Sequence, residues 1–467
     1  MNDEQITLPQ AFVERMRENL GTEAEAFFAS YESPRAYGLR RNPLKQTAEQ
    51  FEQMMPWQLT PVSWADEGYY YPDTDRPGKH VYHEMGLYYI QEPSAMCVAQ
   101  IADPGPGEAV LDLCAAPGGK STQLAGRMAG EGLLVCNEIV PNRAKILAQN
   151  IERMGIRNAV VVNHSPQELE ARFPAFFDRI VVDAPCSGEG MFHKEEAALT
   201  EWSVENVQMC AGRQREILSC AVNMLSPGGV LVYSTCTFAP AEDEEMVRWL
   251  LETYPDLTLQ PIDTAALGIS DGTMSGTGRI YPHRQRGEGH FVARLKKDGM
   301  RMVRQPAVLS ADPGRIRRDK KGKKNAGSVS SADAWAAYDM FAQQNLCCEL
   351  TGRRQMFGDQ LYLVPQEMTA LDGMKVLRPG LHLGTDKKNR FEPSHALALA
   401  LRADQVKQTC ETDQPEQYLR GMTMNCDPLL EGWILVTYQG MSLGWGKASR
   451  GVVKNHYPKG LRIHWQI

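Results

Sequence analysis

Val110-Leu-Asp-Leu-Cys-Ala-Ala-Pro-Gly-Gly-Lys120 is the stretch on which the reading of the whole chain turns. A short apolar run ends on Asp112, a proline and two glycines follow, and the pattern then predicts a helix over 120–129. Strand, glycine-rich turn and helix in that order open a doubly wound α/β fold. The glycines let a ligand approach the backbone, and the helix N-terminus offers it free N–H groups.

The alternation continues outward from this unit. Leu134-Val-Cys-Asn-Glu138, Ala159-Val-Val-Val-Asn163, Arg179-Ile-Val-Val-Asp183 and Val230-Leu-Val-Tyr-Ser234 read as further strands, with helices expected near 141–154 and 204–225. Such an order implies a mostly parallel sheet. Ile217 to Ala241 carries no charge, but Ser226-Pro-Gly-Gly229 interrupts it. It reads as a helix end, a turn and a buried strand, with no membrane span. His290-Phe-Val-Ala-Arg-Leu-Lys-Lys297 is the expected last strand. On the other side, residues 8–30 read as helix, with Leu8, Phe12, Met16 and Leu20 on one face.

Two motifs fall at strand ends beside the glycine turn. Asp183-Ala-Pro-Cys-Ser-Gly-Glu-Gly-Met191 follows the fourth strand, and Tyr233-Ser-Thr-Cys-Thr237 follows the fifth. Most free cysteines are small core residues, and that reading is kept for Cys97, Cys136, Cys210, Cys220, Cys347, Cys348, Cys410 and Cys426. Cys186 and Cys236 differ because each lies in a polar turn at the edge where ligands collect. About 20 residues past the glycines, Glu138 closes the second strand, where a carboxylate accepts hydrogen bonds from ribose hydroxyls.

Rival readings fail on spacing. Gly119-Lys120-Ser121 looks like the end of a P-loop, but the glycine needed six residues before the lysine is Cys114. His193-Lys-Glu195 with Pro185-Cys186 supplies pieces of a zinc-deaminase signature in the wrong order, with no second cysteine at the required spacing. Eleven cysteines without a CxxC pair favour neither a disulfide scaffold nor a zinc site, so no metal is expected.

The 467 residues allow two to four domains, and the net charge of −7 conceals an uneven distribution. Residues 1–300 carry 26 Lys and Arg against 41 Asp and Glu, whereas residues 301–467 carry 24 against 16. A basic tail joined to an acidic body suggests a nucleic-acid-facing region. The expected division is an N-terminal region over 1–100, a catalytic domain over 101–298 and a basic linker over 299–330. Small α+β modules follow over 331–395 and 396–467. The N-terminus lacks the basic flank and apolar core of a signal peptide, so a cytoplasmic, monomeric protein is expected.

At these residues the chain resembles the Sun-type family of RNA cytosine-5 methyltransferases. The matching motifs are DLCAAPGGKST at 112–122, NE at 137–138, DAPCSGEGMF at 183–192 and YSTCTF at 233–238. Gly38-Leu-Arg-Arg-Asn42 and Gly86-Leu-Tyr-Tyr-Ile-Gln-Glu-Pro-Ser94 are also similar. Gly444-Trp-Gly-Lys447 and Lys454-Asn-His-Tyr-Pro-Lys-Gly-Leu-Arg462 resemble the C-terminal extension of the RsmF subgroup, which implies a PUA-like RNA-binding module. From residue 440 onward five Lys or Arg and no acid are interleaved with Trp445, Tyr457 and Trp465. Phosphate contact with aromatic stacking is the use expected for such a set.

The resemblance implies a Rossmann-like S-adenosylmethionine-dependent methyltransferase acting on small-subunit (16S) rRNA. Two alternatives stand beside it: a tRNA substrate, and a ribosome-assembly RNA-binding factor with a vestigial methyltransferase fold. It assigns the nucleophile that adds to carbon 6 of cytosine to Cys236, and assistance in release to Cys186. Asp183 is expected at ring nitrogen 3, in protonated form, and Lys120 is expected in the same cluster. Cys114, Ala115, Ala116, Pro117, Gly118, Gly119 and Lys120 would wrap S-adenosylmethionine, with Glu138 on its ribose and Arg143 and Asp183 nearby. Where many relatives place a carboxylate near the adenine, the spacing gives Ser165.

Overall fold

Val160, Val161, Val162, Ile180, Val181 and Val182 are all fully buried, as strands covered on both faces by helices require. The computed structural model describes residues 7–300, 331–387 and 390–464. At its centre is a sheet whose parallel strands are β1 (Ala109–Asp112), β2 (Leu133–Asn137), β3 (Ala159–Val162), β4 (Phe177–Asp183) and β5 (Leu225–Thr235). An antiparallel strand, β6 (His290–Lys297), lies beside β5, and the parallel run is ordered β5-β4-β1-β2-β3. Helices α1 (Gly119–Arg127), α2 (Pro141–Arg153) and α3 (Val204–Met224) follow β1, precede β3 and precede β5. Because β1 pairs with both β2 and β4, chain connections leave it in opposite directions, and a crevice opens at the carboxyl ends of β1 and β4.

The turn expected at Ser226-Pro-Gly-Gly229 is absorbed into β5. This strand starts directly after α3, and a register shift opposite Phe177 and Arg179 takes up the extra residues. The basic linker expected over 299–330 lies, beyond residue 300, outside the described residues. Among the described residues no helix is long and apolar enough to cross a membrane, and no cluster of three or more His, Cys, Asp or Glu side chains could hold a metal.

The N-terminal residues clamp the catalytic loops. Phe12, in helix Gln10–Leu20, packs edge-on against Phe192 at 5.1 Å. Phe27, in helix Ala24–Ala29, packs against Phe238 at 5.2 Å. Phe192 and Phe238 end the two cysteine-bearing motifs, so one aromatic cluster fixes both. A four-stranded sheet made by Thr60–Pro61, Gly68–Tyr70, Gly38–Arg41 and Tyr88–Ile90 covers α1 from the other side.

The C-terminal residues extend the catalytic sheet. Strand β7 (Val376–Arg378) pairs antiparallel with β3, and buried Arg378 donates to the Ile156 carbonyl at 3.1 Å. The expected division at 395/396 falls at the start of helix His395–Ala400. One apolar core continues from Leu361, Leu381 and Leu383 through Leu397 to Leu435 and Trp445, across both small sheets.

Candidate active site

Each strand delivers its side chain to the crevice through its register. Asp183 is paired with Ser234 across β4 and β5, and Thr235 is paired with Phe291 across β5 and β6. The carboxyl end of β4 therefore lies beside the end of β5 and the start of β6. The Ser234 hydroxyl donates to Asp183 Oδ1 at 2.8 Å, and His290 Nε2 lies 3.4 Å from the same oxygen. Lys120, in the first turn of α1, places Nζ 2.7 Å from Asp183 Oδ2. Beyond them the sulfurs of Cys186 and Cys236 are 3.3 Å apart.

The electrostatics correct one expectation. A protonated Asp183 was expected, yet its pKa is held well below the ordinary carboxylate range. Burial alone would raise it, but the adjacent Lys120 ammonium, with His290, outweighs that cost. In the same way the Asp183 carboxylate overcomes burial at Lys120 and raises its pKa. The pair is thus a carboxylate and an ammonium that holds its proton more firmly than an ordinary lysine. The Cys186 thiol is pushed well above its usual value, first by its contact with Cys236 and then by burial.

A polar network locks the two cysteine loops together. Glu242 accepts from the Ser187 amide at 3.0 Å and from Gln214 Nε2 at 2.9 Å, and Gln214 also donates to the Pro185 carbonyl at 3.1 Å. Ser187 Oγ lies 2.9 Å from Thr237 Oγ1. Burial pushes Glu242 up to about 7 against the pull of Ser187. Glu189 accepts from the Phe238 amide at 3.0 Å, and Arg279 pairs with Asp243 and Glu244 at 2.8 and 2.7 Å. Pro185, Ser187, Glu189, Thr237 and Phe238 lie within the two quoted motifs, whereas Gln214, Glu242, Asp243, Glu244 and Arg279 were not singled out in the sequence. Glu242, Asp243 and Glu244 belong to no quoted motif, and all three are buried. His290 had a signal, since it opens the expected last strand.

The glycine turn has the form of a cradle. Gly118 has φ +114°, a conformation that suits glycine, and a Cβ on Gly119 would come within 3.3 Å of Gln91. Buried Asp112 accepts from Ser121 Oγ at 2.6 Å through one oxygen, while Oδ1 has no partner. Burial raises its pKa to about 7. Glu138 is also buried, with one oxygen on the Val140 amide at 2.8 Å. Arg143 reaches the Ala116 carbonyl at 2.9 Å and lies 3.6 Å from Glu138. Cys114, Ala115, Ala116 and Pro117 form the turn between them. Arg40, fully buried, donates to the Gly119 carbonyl at 2.9 Å and to Thr122 Oγ1 at 2.7 Å, tying the N-terminal sheet to this turn.

At the far end of the cradle, the Ser165 hydroxyl caps helix Pro166–Glu170 by accepting from the Glu168 amide at 3.3 Å. The edge beside it is closed by the C-terminal part of the chain. The Lys375 amide donates to His164 Nε2 at 2.9 Å, and its carbonyl accepts from the Asn163 amide at 3.0 Å.

Two expectations about the other aromatic and cysteine residues change. Trp445 and Tyr457 are only 2% and 3% exposed, so their rings build the core and cannot stack on bases; Trp465 lies outside the described residues. Cys347 is exposed, whereas Cys97, Cys136, Cys210, Cys220 and Cys410 are buried.

Comparison with known proteins agrees with this geometry. The profile of the 16S rRNA methyltransferase RsmB/F family matches residues 99–296. Those of the RsmF N-terminal domain, the first C-terminal domain and the PUA domain match 8–93, 340–401 and 409–463. Ribosomal RNA small subunit methyltransferase F of Escherichia coli is 33% identical over 98% of this chain and 97% of its own. The chain belongs to the RsmB/F family of 16S rRNA methyltransferases. The Klebsiella pneumoniae relative of the same name is likewise 33% identical, over 99% of this chain and 98% of its own. Among solved structures, a methyltransferase homologue from Pyrococcus horikoshii superposes with a TM-score of 0.56 at 30% identity, covering 63% of this chain and 96% of that one. The NSun6 structure from the same organism gives 0.54 at 22% identity, covering 62% and 99%, and shares the fold.

Proposed function

We propose that this RsmB/F-family enzyme forms 5-methylcytosine in 16S rRNA of the small ribosomal subunit, in the cytoplasm, through a covalent adduct on Cys236. The observation that carries the reading is the pair of sulfurs 3.3 Å apart, beside the Lys120–Asp183 pair and the glycine cradle. Carbon 5 of cytosine is too weak a nucleophile to take a methyl group unaided. Addition of the Cys236 thiolate to carbon 6 turns the ring into an enamine that can. Asp183 orients the edge of the base that carries nitrogen 3. Nitrogen 3 takes up a proton as carbon 6 is attacked and gives it back when the adduct collapses, and the Lys120–Asp183 pair stabilises the edge of the ring where that charge changes.

S-adenosylmethionine would supply an electrophilic sulfonium methyl. The cradle fits it: Glu138 is a buried carboxylate suited to a ribose diol, and the unpartnered Asp112 oxygen suits the ammonium of an amino-acid moiety. Ser165 is committed to a helix cap, and the carboxylate beside it, Glu168, accepts from the Ser165 amide at 3.0 Å and lies 3.1 Å from His164 Nδ1. Glu138→Ala is expected to weaken S-adenosylmethionine binding by about 10- to 100-fold, the scale of a lost charged hydrogen bond. Calorimetric titration checks this, and unchanged affinity would remove Glu138 from the cofactor site.

The target base must leave its stack to reach Cys236. The decisive experiment is bisulfite mapping of rRNA and tRNA from cells with and without the gene. Loss of a cytosine mark in 16S rRNA is expected. A mark lost from tRNA alone would redirect the substrate, and no lost mark would overturn the reading.

A further inference from the structure

A cavity of about 270 Å³ opens between the end of the N-terminal helices and the loop Tyr281-Pro-His-Arg-Gln-Arg-Gly-Glu288. Arg35, Arg284, Arg286, His193, His283 and Glu288 are on its wall. We propose that this cavity binds the phosphodiester of an RNA nucleotide next to the target cytosine, an inference that rests on the RNA-methyltransferase reading above.

The charge arrangement is unusual for a surface cleft. Arg284 is neutralised by Glu23, with contacts of 2.6 and 2.7 Å, and Glu288, 3.2 Å from His193 Nδ1, leaves one carboxylate on the wall against the two guanidinium groups of Arg35 and Arg286. Arg35 and Arg286 form no ion pair among the described residues. Arg35 donates only to the carbonyls of His193 and Lys194, both at 2.8 Å, and these do not cancel its charge. Arg286 is exposed and lies over the face of Tyr70, 4.6 Å from the ring centre, while the Tyr70 hydroxyl donates to the Arg286 carbonyl at 2.9 Å. A guanidinium laid on an aromatic ring is already ordered, so less entropy is lost when its fork takes an anion.

A second feature points to a missing polar partner. The His283 side chain is 5% exposed, and its Nδ1 has no hydrogen-bond partner, although Nε2 is 3.1 Å from Glu23. Burying such a nitrogen unpaired is costly, and it lies on the wall of the same cavity.

The position of the cavity selects the ligand. Glu288 on its wall is two residues before His290, which is 3.4 Å from Asp183. With about 3.8 Å between consecutive Cα atoms, the Glu288 and His290 backbones are within about 7 Å of each other. That is the scale of one nucleotide step. The face of Tyr70 is occupied by Arg286, so the site offers guanidinium forks in place of a stacking platform, and the fork matches phosphate.

The test uses the full-length protein and an RNA oligonucleotide carrying the target cytosine, with binding measured as a function of salt and independently of turnover. Arg286→Ala and Arg35→Ala are each expected to weaken RNA binding on the order of 10-fold and to lower the slope of log K against log salt by about 1. Affinity for S-adenosylmethionine should not move. Arg286→Lys should keep most of the salt slope. A methylphosphonate at a single linkage flanking the cytosine should weaken wild-type binding to the same degree and add nothing in Arg286→Ala. Unchanged RNA binding, or losses that add at every linkage, would overturn the phosphate site. So would normal binding of RNA by the variants combined with lost binding of the small subunit, which would make the cavity a protein contact. A wild-type enzyme that binds the oligonucleotide without methylating it would count against the reaction and leave the binding comparison intact.

Discussion

Cys236→Ala should abolish methyl transfer while RNA binding persists. In the proposed mechanism the thiol that follows β5 is the group that adds to carbon 6, and without that addition carbon 5 has no enamine to act through. Removal of an enzyme's nucleophile costs on the scale of 10⁴-fold or more, so transfer of labelled methyl to 16S rRNA should fall by at least about 10⁴-fold. The loss can be assigned to chemistry because the loop does not depend on the thiol. Its backbone is held by the Gly190 amide on the Cys236 carbonyl at 2.8 Å, by Thr237 on Ser187 and by Phe238 in the aromatic cluster. Comparable activity in the variant would remove Cys236 as the nucleophile. Loss of both RNA binding and thermal stability would show that the loop had collapsed.

The elements that could be read from the sequence are those with local causes. An apolar run followed by Pro117-Gly118-Gly119 fixes a strand, a turn and a helix within a dozen residues, and the parallel order then brings Lys120, Asp183, Cys186 and Cys236 to one edge. What escaped depends on contacts between distant segments. Glu242 is buried because Ser187 and Gln214 reach it from two other elements, and nothing in Ala241-Glu-Asp-Glu-Glu245 separates it from a solvated acidic run. Arg40 was a motif letter until its guanidinium met Gly119 and Thr122. The same non-local packing explains the aromatic tail. Trp445 is drawn inward by Phe341, 5.7 Å away and more than a hundred residues earlier, so an alternation of basic and aromatic residues that suggests stacking describes the inside and outside of a small sheet. The ionisation of Asp183 is a further case. Its place beside the glycine turn follows from strand order, but its charge follows from Lys120 and His290 converging on it.

Cys186→Ala should trap the enzyme on its RNA. In the intact site the first cause of the raised Cys186 pKa is the neighbouring Cys236 sulfur, so Cys186 stays a neutral thiol and does not compete for carbon 6. Once Cys236 is bonded to carbon 6 it can no longer carry a negative charge. The contact with Cys236 that stands first among the causes of the shift is then altered, while burial continues to hold the Cys186 thiol up. In the proposed release step Cys186, as the thiolate, takes the proton from carbon 5. The electrons of that C–H bond re-form the double bond between carbons 5 and 6, and the pair of the carbon–sulfur bond returns to Cys236. Without Cys186 the methyl group is still transferred, but the base proposed for this elimination is missing. About one methyl per enzyme molecule should accumulate on a protein–RNA species that survives SDS and migrates as a shifted band, with turnover stalled after the first cycle. The double variant carrying Cys236→Ala as well should lose the band, because the bond that holds the RNA belongs to Cys236. Normal turnover in the single variant, or a band that persists in the double variant, would assign release to another group.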